Sequence, residues 1–329
     1  MGLATLLGMK RVVLPLLLGA ALMTAAARSA LTTPPAAPDR TTPTRVAPAR
    51  AAEVPMPVLQ PEPLRFAHPL GDAFLFTPAA CEPGCPLVVV SHSRGMTAEL
   101  SLSRPHLLAI YRRLQAAGYA VLVSNDAGPT TWGAPQALTY LGDMHSRATR
   151  AFPFNGRTYN FGYSMGGLPA LLTASLGVYP VSGVILLDAQ VSLQDVWRSG
   201  RGNPTFVADI AAAHGLTRGE TPPPERDPWT RARGTWAALP LLVAGGAGDT
   251  VVSFARNGEA LFAQSSAQGS QLLRLEGPHL GGSHFGDALL EPMLAFLGRL
   301  ESAQARAPKP LVPVPDPAAP APAPTDATE

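Results

Sequence analysis

From residue 64 to residue 302 the chain alternates short, continuously apolar runs with longer amphipathic stretches. Pro86–Ser91 (PLVVVS), Tyr119–Ser124 (YAVLVS), Val181–Leu187 (VSGVILL) and Leu239–Ala244 (LPLLVA) have no polar alternation, the mark of strands buried on both faces. Arg157–Tyr163 (RTYNFGY) and Gln271–Leu275 (QLLRL) read as two further strands. Leu64–Pro78 reads as a pair of short strands around Gly71-Asp72. Between them, Ser103–Ala117 carries Leu107, Leu108, Tyr111 and Leu114 at helical spacing and stops at Gly118. Further helices are predicted over Ala134–Phe152, Met165–Leu176, Phe254–Ser265 and Ala288–Glu301. Short buried strands alternating with helices predict an α/β class with a mainly parallel sheet covered on both faces. In such sheets ligands bind beyond the carboxyl ends of the strands, so chemistry is expected just after the apolar runs.

The ends of the chain do not follow this pattern. Lys10 and Arg11 precede an apolar run, Val12–Ala27, closed by Ala25-Ala26-Ala27. This is the pattern of an export signal, and its apolar core of about 16 residues falls short of the roughly 20 that span a bilayer. Residues 1–30 are expected to be a signal peptide or an uncleaved membrane anchor. Residues 31–63 are a Pro-rich linker and 307–329 a Pro/Ala-rich tail expected to be disordered; the 36 prolines cluster there. That leaves one domain, 64–306. A net charge of +2 with 15% charged residues provides no basic stripe, so nucleic acid is not an expected partner. Cys81 and Cys85 are the only cysteines, separated by Glu82-Pro83-Gly84. An even count in an exported chain favours a disulfide between them, and no second ligand pair is spaced for a metal.

Gly162-Tyr163-Ser164-Met165-Gly166 lies directly between a predicted strand and a predicted helix. A nucleophile placed there sits on a sharp turn whose glycines make room for neighbouring backbone. The following helix aims free N–H groups and its positive dipole end at the serine oxygen. On this elbow and its setting, the region from Leu64 to Ser302 resembles the α/β-hydrolase superfamily, in particular its dienelactone-hydrolase-like and esterase/lipase-like members. The resemblance implies a mainly parallel sheet of about eight strands flanked by helices, with Ser164 as nucleophile.

A serine hydroxyl needs a base, and the base an orienting carboxylate. In the superfamily these follow the nucleophile as acid, then histidine. Gly248-Asp249-Thr250-Val251-Val252 follows the strand LPLLVA, and Asp249 matches the superfamily's acid; Asp188, ending the preceding strand, is the alternative. An aspartate at position 249 would equally cap the helix expected near Phe254. For the base, His284 in Gly282-Ser283-His284-Phe285-Gly286 is preferred for its place beside the closing helix, and His279, five residues earlier, is the alternative. His214 is left to the insertion described next.

The tetrahedral intermediate needs two backbone donors. The resemblance implies Met165 and, in the loop Ser91-His92-Ser93-Arg94-Gly95, Arg94 with Ser93 as alternative. Similar enzymes have His-Gly at that place, so His92-Ser93 departs from the pattern, and His92 is expected to be structural. The Arg94 side chain either meets a substrate anion or covers surface. Residues 190–238, with Trp197, Trp229, Trp236 and Thr221-Pro222-Pro223-Pro224, are too irregular for one crossover helix and read as a cap insertion. The expected function is an exported (periplasmic, secreted or membrane-anchored) serine hydrolase acting on small-molecule carboxylic esters. No cofactor or metal is expected. A peptidase or amidase with the same triad, and a non-catalytic envelope binding protein on the same fold, are the alternatives.

Overall fold

The computed structural model describes residues 61–199, 203–231 and 233–306. The expected signal peptide and tail, and the linker up to residue 60, lie outside the described residues. Eight strands form one sheet: β1 (Leu64–Phe66), β2 (Ala73–Phe76), β3 (Cys85–Ser91), β4 (Ala120–Val123), β5 (Phe154–Tyr163), β6 (Gly183–Leu187), β7 (Leu241–Gly246) and β8 (Gln271–Leu275). Their spatial order is β1-β2-β4-β3-β5-β6-β7-β8. The β1–β2 hairpin adds to β4 antiparallel, and every pairing from β4 to β8 is parallel. The apolar runs become the central strands because both of their faces are covered. All seven residues of β3 and all five of β6 are buried.

Helices α1 (Ala98–Leu102), α2 (Pro105–Ala116), α3 (Pro135–Thr149), α4 (Gly167–Leu176), α5 (Leu193–Ser199), α6 (Pro204–His214), α7 (Arg233–Ala238), α8 (Ala260–Phe262) and α9 (Asp287–Arg306) complete the chain. The sheet alternates its side chains between two cores. Val88, Val90, Phe161 and Ile185 pack with Leu107 and Ile110 of α2 and Met293 and Phe296 of α9. On the other face, Leu87, Val89 and Leu122 meet Tyr140, Leu141 and Met144 of α3. Leu186 and Val243 on that face pack with Leu171 of α4, Leu261 of α8 and the fully buried Trp236.

Two elements differ from the sequence expectation. The short α1, initiated by Thr97 accepting the Leu100 N–H at 3.1 Å, has no apolar period long enough to announce it. The helix expected over Phe254–Ser265 is instead a π-helical turn, Ala255–Glu259, followed by α8. The Phe254 ring lies where a Gly258 side chain would stand, 2.4 Å from an ideal Cβ, so this turn wraps around the ring. Among the described residues, the segment between β6 and β7 carries α5, α6, the 3₁₀ turns Pro224–Arg226 and Pro228–Thr230, and α7. Its anchor is Asp227, wholly buried, whose carboxylate accepts from Ser192 Oγ (2.9 Å) and from the backbone N–H of Leu193, Gln194 and Trp229. Cys81 and Cys85 are joined as a disulfide at the start of β3. Among the described residues no helix is long and apolar enough to cross a membrane.

Candidate active site

β5 ends at Tyr163, and the chain reverses at Ser164 into a 3₁₀ turn, Ser164–Gly166, that runs on into α4. Ser164 has φ +52°, a left-handed conformation that costs a non-glycine residue about 1–2 kcal/mol. The turn closes so tightly that side chains are excluded beside it. A Cβ on Gly162 would stand 2.4 Å from the Gly166 carbonyl oxygen, and one on Gly166 would stand 2.2 Å from the Ser91 carbonyl oxygen. A Cβ on Gly167 would meet the Gln190 carbonyl oxygen at 2.6 Å. The Gln190 N–H donates to the Ser164 carbonyl (2.9 Å), tying the elbow to the loop after β6.

The loops after β7 and β8 bring an acid and a base to this serine. Asp249 Oδ1 accepts the N–H groups of Val251 and Val252, both at 2.8 Å, a turn within its own loop, and the π-helical turn from Ala255 begins without a side-chain cap. Its other oxygen faces His279 Nδ1 at 2.6 Å, and His279 Nε2 lies 2.9 Å from Ser164 Oγ. A carboxylate only accepts, so Nδ1 carries the proton and Nε2 is free to accept from the serine hydroxyl. Ser164 and Asp249 are buried at 8% and 7% exposure, and the His279 side chain is 14% exposed.

The structure does not bring His284, the preferred base, to the serine. Its ring is fully buried and makes no hydrogen bond to the serine: Nδ1 lies 2.7 Å from Asp188 Oδ2 and Nε2 3.0 Å from the Glu276 carbonyl oxygen. Asp188, the alternative acid, is engaged by His284 and by the Leu280 N–H (2.8 Å) and makes no hydrogen bond to His279. One ligand atom each from Asp188, Asp249 and His279 lie within 4.8 Å of one another. A metal held there would compete with the proton shared by His279 and Asp249. His214 makes no hydrogen bond to Ser164, Asp249 or His279 among the described residues. Burial pushes its pKa down to about 4, and Nε2 bonds the Trp132 carbonyl at 3.2 Å.

The loop after β3 lies against the elbow, its Ser91 and His92 carbonyls closest to Gly166. Asp126, a buried residue that sequence reading passed over, accepts the His92 N–H (3.2 Å) and hydroxyl hydrogens from Ser91 (3.3 Å) and Ser124 (2.7 Å). Desolvation pushes the Asp126 pKa up, against the opposing pull of His92 and these donors. The His92 ring meets only backbone carbonyls, of Ser93 at 2.8 Å and Asn125 at 3.1 Å, the structural position expected for it. Gly95 donates to the Pro129 carbonyl and Met96 to that of Ser93. The amides of Ser93 and Arg94 remain as donors of this loop without an acceptor among the described residues. The Arg94 side chain points to α6, its Nε 2.5 Å from Asp209 Oδ2 and its guanidinium over the Phe206 ring at 5.3 Å. Next to the Asp249 loop, α5 and α6 enclose a cavity of about 300 Å³ lined in part by Gln190, Asp195, Phe206, Thr250, Val252 and Asn257.

No protein-family model matches the chain, and no curated protein matches it in sequence. Its architecture is similar to solved structures. Est1E from Butyrivibrio proteoclasticus aligns with TM-score 0.53 at 18% identity, covering 74% of this chain and 100% of that one. Carboxyl esterase 2 from the mycorrhizal fungus Tuber melanosporum aligns with TM-score 0.54 at 15% identity, covering 77% and 89%. The fluorophosphonate-binding serine hydrolase F of Staphylococcus aureus aligns with TM-score 0.55 at 16% identity, covering 72% and 97%. With its strand order and elbow, the chain has the α/β-hydrolase fold.

Proposed function

We propose that the protein is a serine hydrolase that cleaves carboxylic esters through an acyl-enzyme on Ser164. The observation that carries this reading is the continuous relay Ser164 Oγ–His279 Nε2 (2.9 Å) and His279 Nδ1–Asp249 Oδ2 (2.6 Å). Those distances lie within the reach required of nucleophile, base and orienting acid. The activities printed for two of the structurally similar proteins, a carboxyl esterase and a fluorophosphonate-binding serine hydrolase, fit the same reading.

As Ser164 Oγ attacks the ester carbonyl carbon, its proton passes to His279 Nε2. Asp249 stabilises the imidazolium that forms and keeps the ring in the reactive tautomer. The charge on the former carbonyl oxygen is received by the N–H of Met165 and that of Arg94, with Ser93 the other available donor. Met165 stands in the first turn of a helix, where N–H groups have no intrahelical partner. Collapse of the intermediate breaks the ester C–O bond, and His279 returns the proton to the leaving alcohol. Water, deprotonated by the same histidine, then releases the acid. The cavity between α5, α6 and the Asp249 loop is the proposed place for part of the substrate, which gives the insertion a substrate-shaping role. Export, with the N-terminal segment as signal or membrane anchor, belongs to the same proposal, and the Cys81–Cys85 disulfide supports it.

The test is labelling of the purified protein with a fluorophosphonate probe, followed by peptide mapping and a p-nitrophenyl ester chain-length series beside aminoacyl amides. Modification at Ser164 and faster turnover of esters than amides are expected. Absence of labelling would overturn the enzymatic reading and favour a binding protein on this fold. Faster turnover of amides would make it a peptidase or amidase.

A further inference from the structure

Asp188 and His284 are left over by the proposed relay, yet they are built into the site more deeply than the relay itself. Both side chains are completely buried and meet at 2.7 Å. We propose that they form a second acid–imidazole pair that does not touch the substrate, and whose task is to hold the loop 277–284 so that His279 faces Ser164. This rests on the reading of Ser164, His279 and Asp249 given above.

The loop needs such a device. Its sequence, Gly277-Pro278-His279-Leu280-Gly281-Gly282-Ser283-His284, has three glycines, and glycine-rich chain loses the most conformational entropy when fixed. Leu280, the residue directly after the base, is held at φ +49°, which a leucine adopts only when its surroundings impose it. Asp188 imposes it: Oδ2 accepts the Leu280 N–H at 2.8 Å and the His284 ring at 2.7 Å. His284 closes the loop on itself, its Nε2 lying 3.0 Å from the carbonyl oxygen of Glu276, the residue that precedes the loop. The two ends of the loop and its midpoint are thus tied to one carboxylate at the end of β6. Asp188 is itself held at φ +44°.

The arrangement is costly. Asp188 Oδ1 is buried with no hydrogen-bond partner among the described residues, and an unpaired buried carboxylate oxygen carries a desolvation penalty. Apolar packing would close a structural loop at less cost. Rules of local economy are broken in this way where a site must be held to within about half an ångström, and a misplacement of about 1 Å in a reacting group can cost about a hundredfold in rate.

The experiment uses the purified chain with the substitutions His284→Ala and Asp188→Asn beside Asp249→Asn, His279→Ala and Ser164→Ala. Four quantities are read: kcat, KM, the rate of fluorophosphonate labelling, and the low-field proton resonance of the His279–Asp249 hydrogen bond. His284→Ala is expected to lower kcat and the labelling rate about a hundredfold, to leave KM within about threefold, and to broaden or abolish the resonance. Asp188→Asn, which keeps an oxygen for the Leu280 N–H, is expected to lose about tenfold and to retain the resonance, a partial rescue that marks positioning. It decides the matter if His284→Ala does not fold. Wild-type kcat in either folded variant overturns the proposal. So does an Asp188→Asn loss as deep as that of Asp249→Asn, which would make Asp188 the acid. Full activity in Ser164→Ala or His279→Ala would instead overturn the underlying reading, whatever His284 does.

Discussion

His279 Nε2 stands 2.9 Å from Ser164 Oγ, although 115 residues separate them in the chain. With Asp249 on the opposite ring nitrogen, this contact makes His279 the group whose removal should hurt most. His279→Ala is expected to lower kcat on a p-nitrophenyl ester by about 10⁴-fold or more, with the residue of activity due to binding and the oxyanion donors. A stopped assay with parallel fluorophosphonate labelling checks it. Labelling of this variant at the unmodified rate would show that the serine draws its base from elsewhere.

Gly166 faces the Ser91 carbonyl oxygen with no space for a side chain, since a Cβ there would approach to 2.2 Å. The obstructing atoms are backbone and cannot rotate away. Gly166→Ala is expected to lower the unfolding free energy by about 1–3 kcal/mol, read from urea transitions, and to slow labelling of Ser164. Gly298→Ala in α9 is the control, because nothing lies within 4 Å of its added methyl group. It should be neutral or stabilise by up to about 1 kcal/mol. Equal destabilisation by both would remove the elbow argument.

Arg94 contributes its backbone to the loop beside the elbow and its side chain to Asp209 and Phe206 of α6. The guanidinium is thus already occupied. Arg94→Ala is predicted to reduce kcat/KM for neutral and for anionic esters by the same factor, through loosening of the contact with α6. Preferential loss on the anionic substrate would mean that this side chain meets the substrate after all. Asp209→Asn should reproduce part of the effect, and added salt should affect it less than the unmodified protein.

One buried histidine, His214, and one half-buried, His145, make the fold sensitive to acid. Desolvation lowers His145 and His214 from 6.5 to about 4 in the folded chain. The His145 ring is stacked on Tyr179 at 4.1 Å and bonds Thr158 Oγ1 through Nε2. As the pH drops, the unfolded chain takes up these protons first. The stability due to the neutral rings is complete above about 6.5 and is lost progressively as the pH falls towards about 4. Thermal unfolding of His145→Gln and His214→Gln across this range should give flatter Tm-against-pH curves than the unmodified protein. Identical slopes would refute the assignment.

Ser164 and Asp249 were legible because each is announced locally. The serine stands in a five-residue pattern between a buried strand and a helix, and the acid stands in a Gly-Asp turn after the next-to-last apolar run. The strands were legible for a related reason: burial on both faces leaves uninterrupted runs such as PLVVVS. Asp126, Asp227 and Asp209 were not, because nothing near them in sequence says which loop amide or guanidinium they will meet. Each gains its role from a partner between 33 and 115 residues away or from a crowd of backbone N–H groups.

The two histidines of one loop mark where the sequence stops. By itself, through its resemblance to the α/β-hydrolases, it pointed to a histidine between the last strand and the last helix as the partner of Ser164, where that superfamily places its base. Which histidine fills that role was decided only in three dimensions. Gly277, Gly281 and Gly282 give the loop backbone freedom, so its local sequence favours neither ring. The difference is made by Asp188, anchored in β6, which captures Leu280 N–H and His284 together and leaves His279 the one free to reach Asp249 and Ser164.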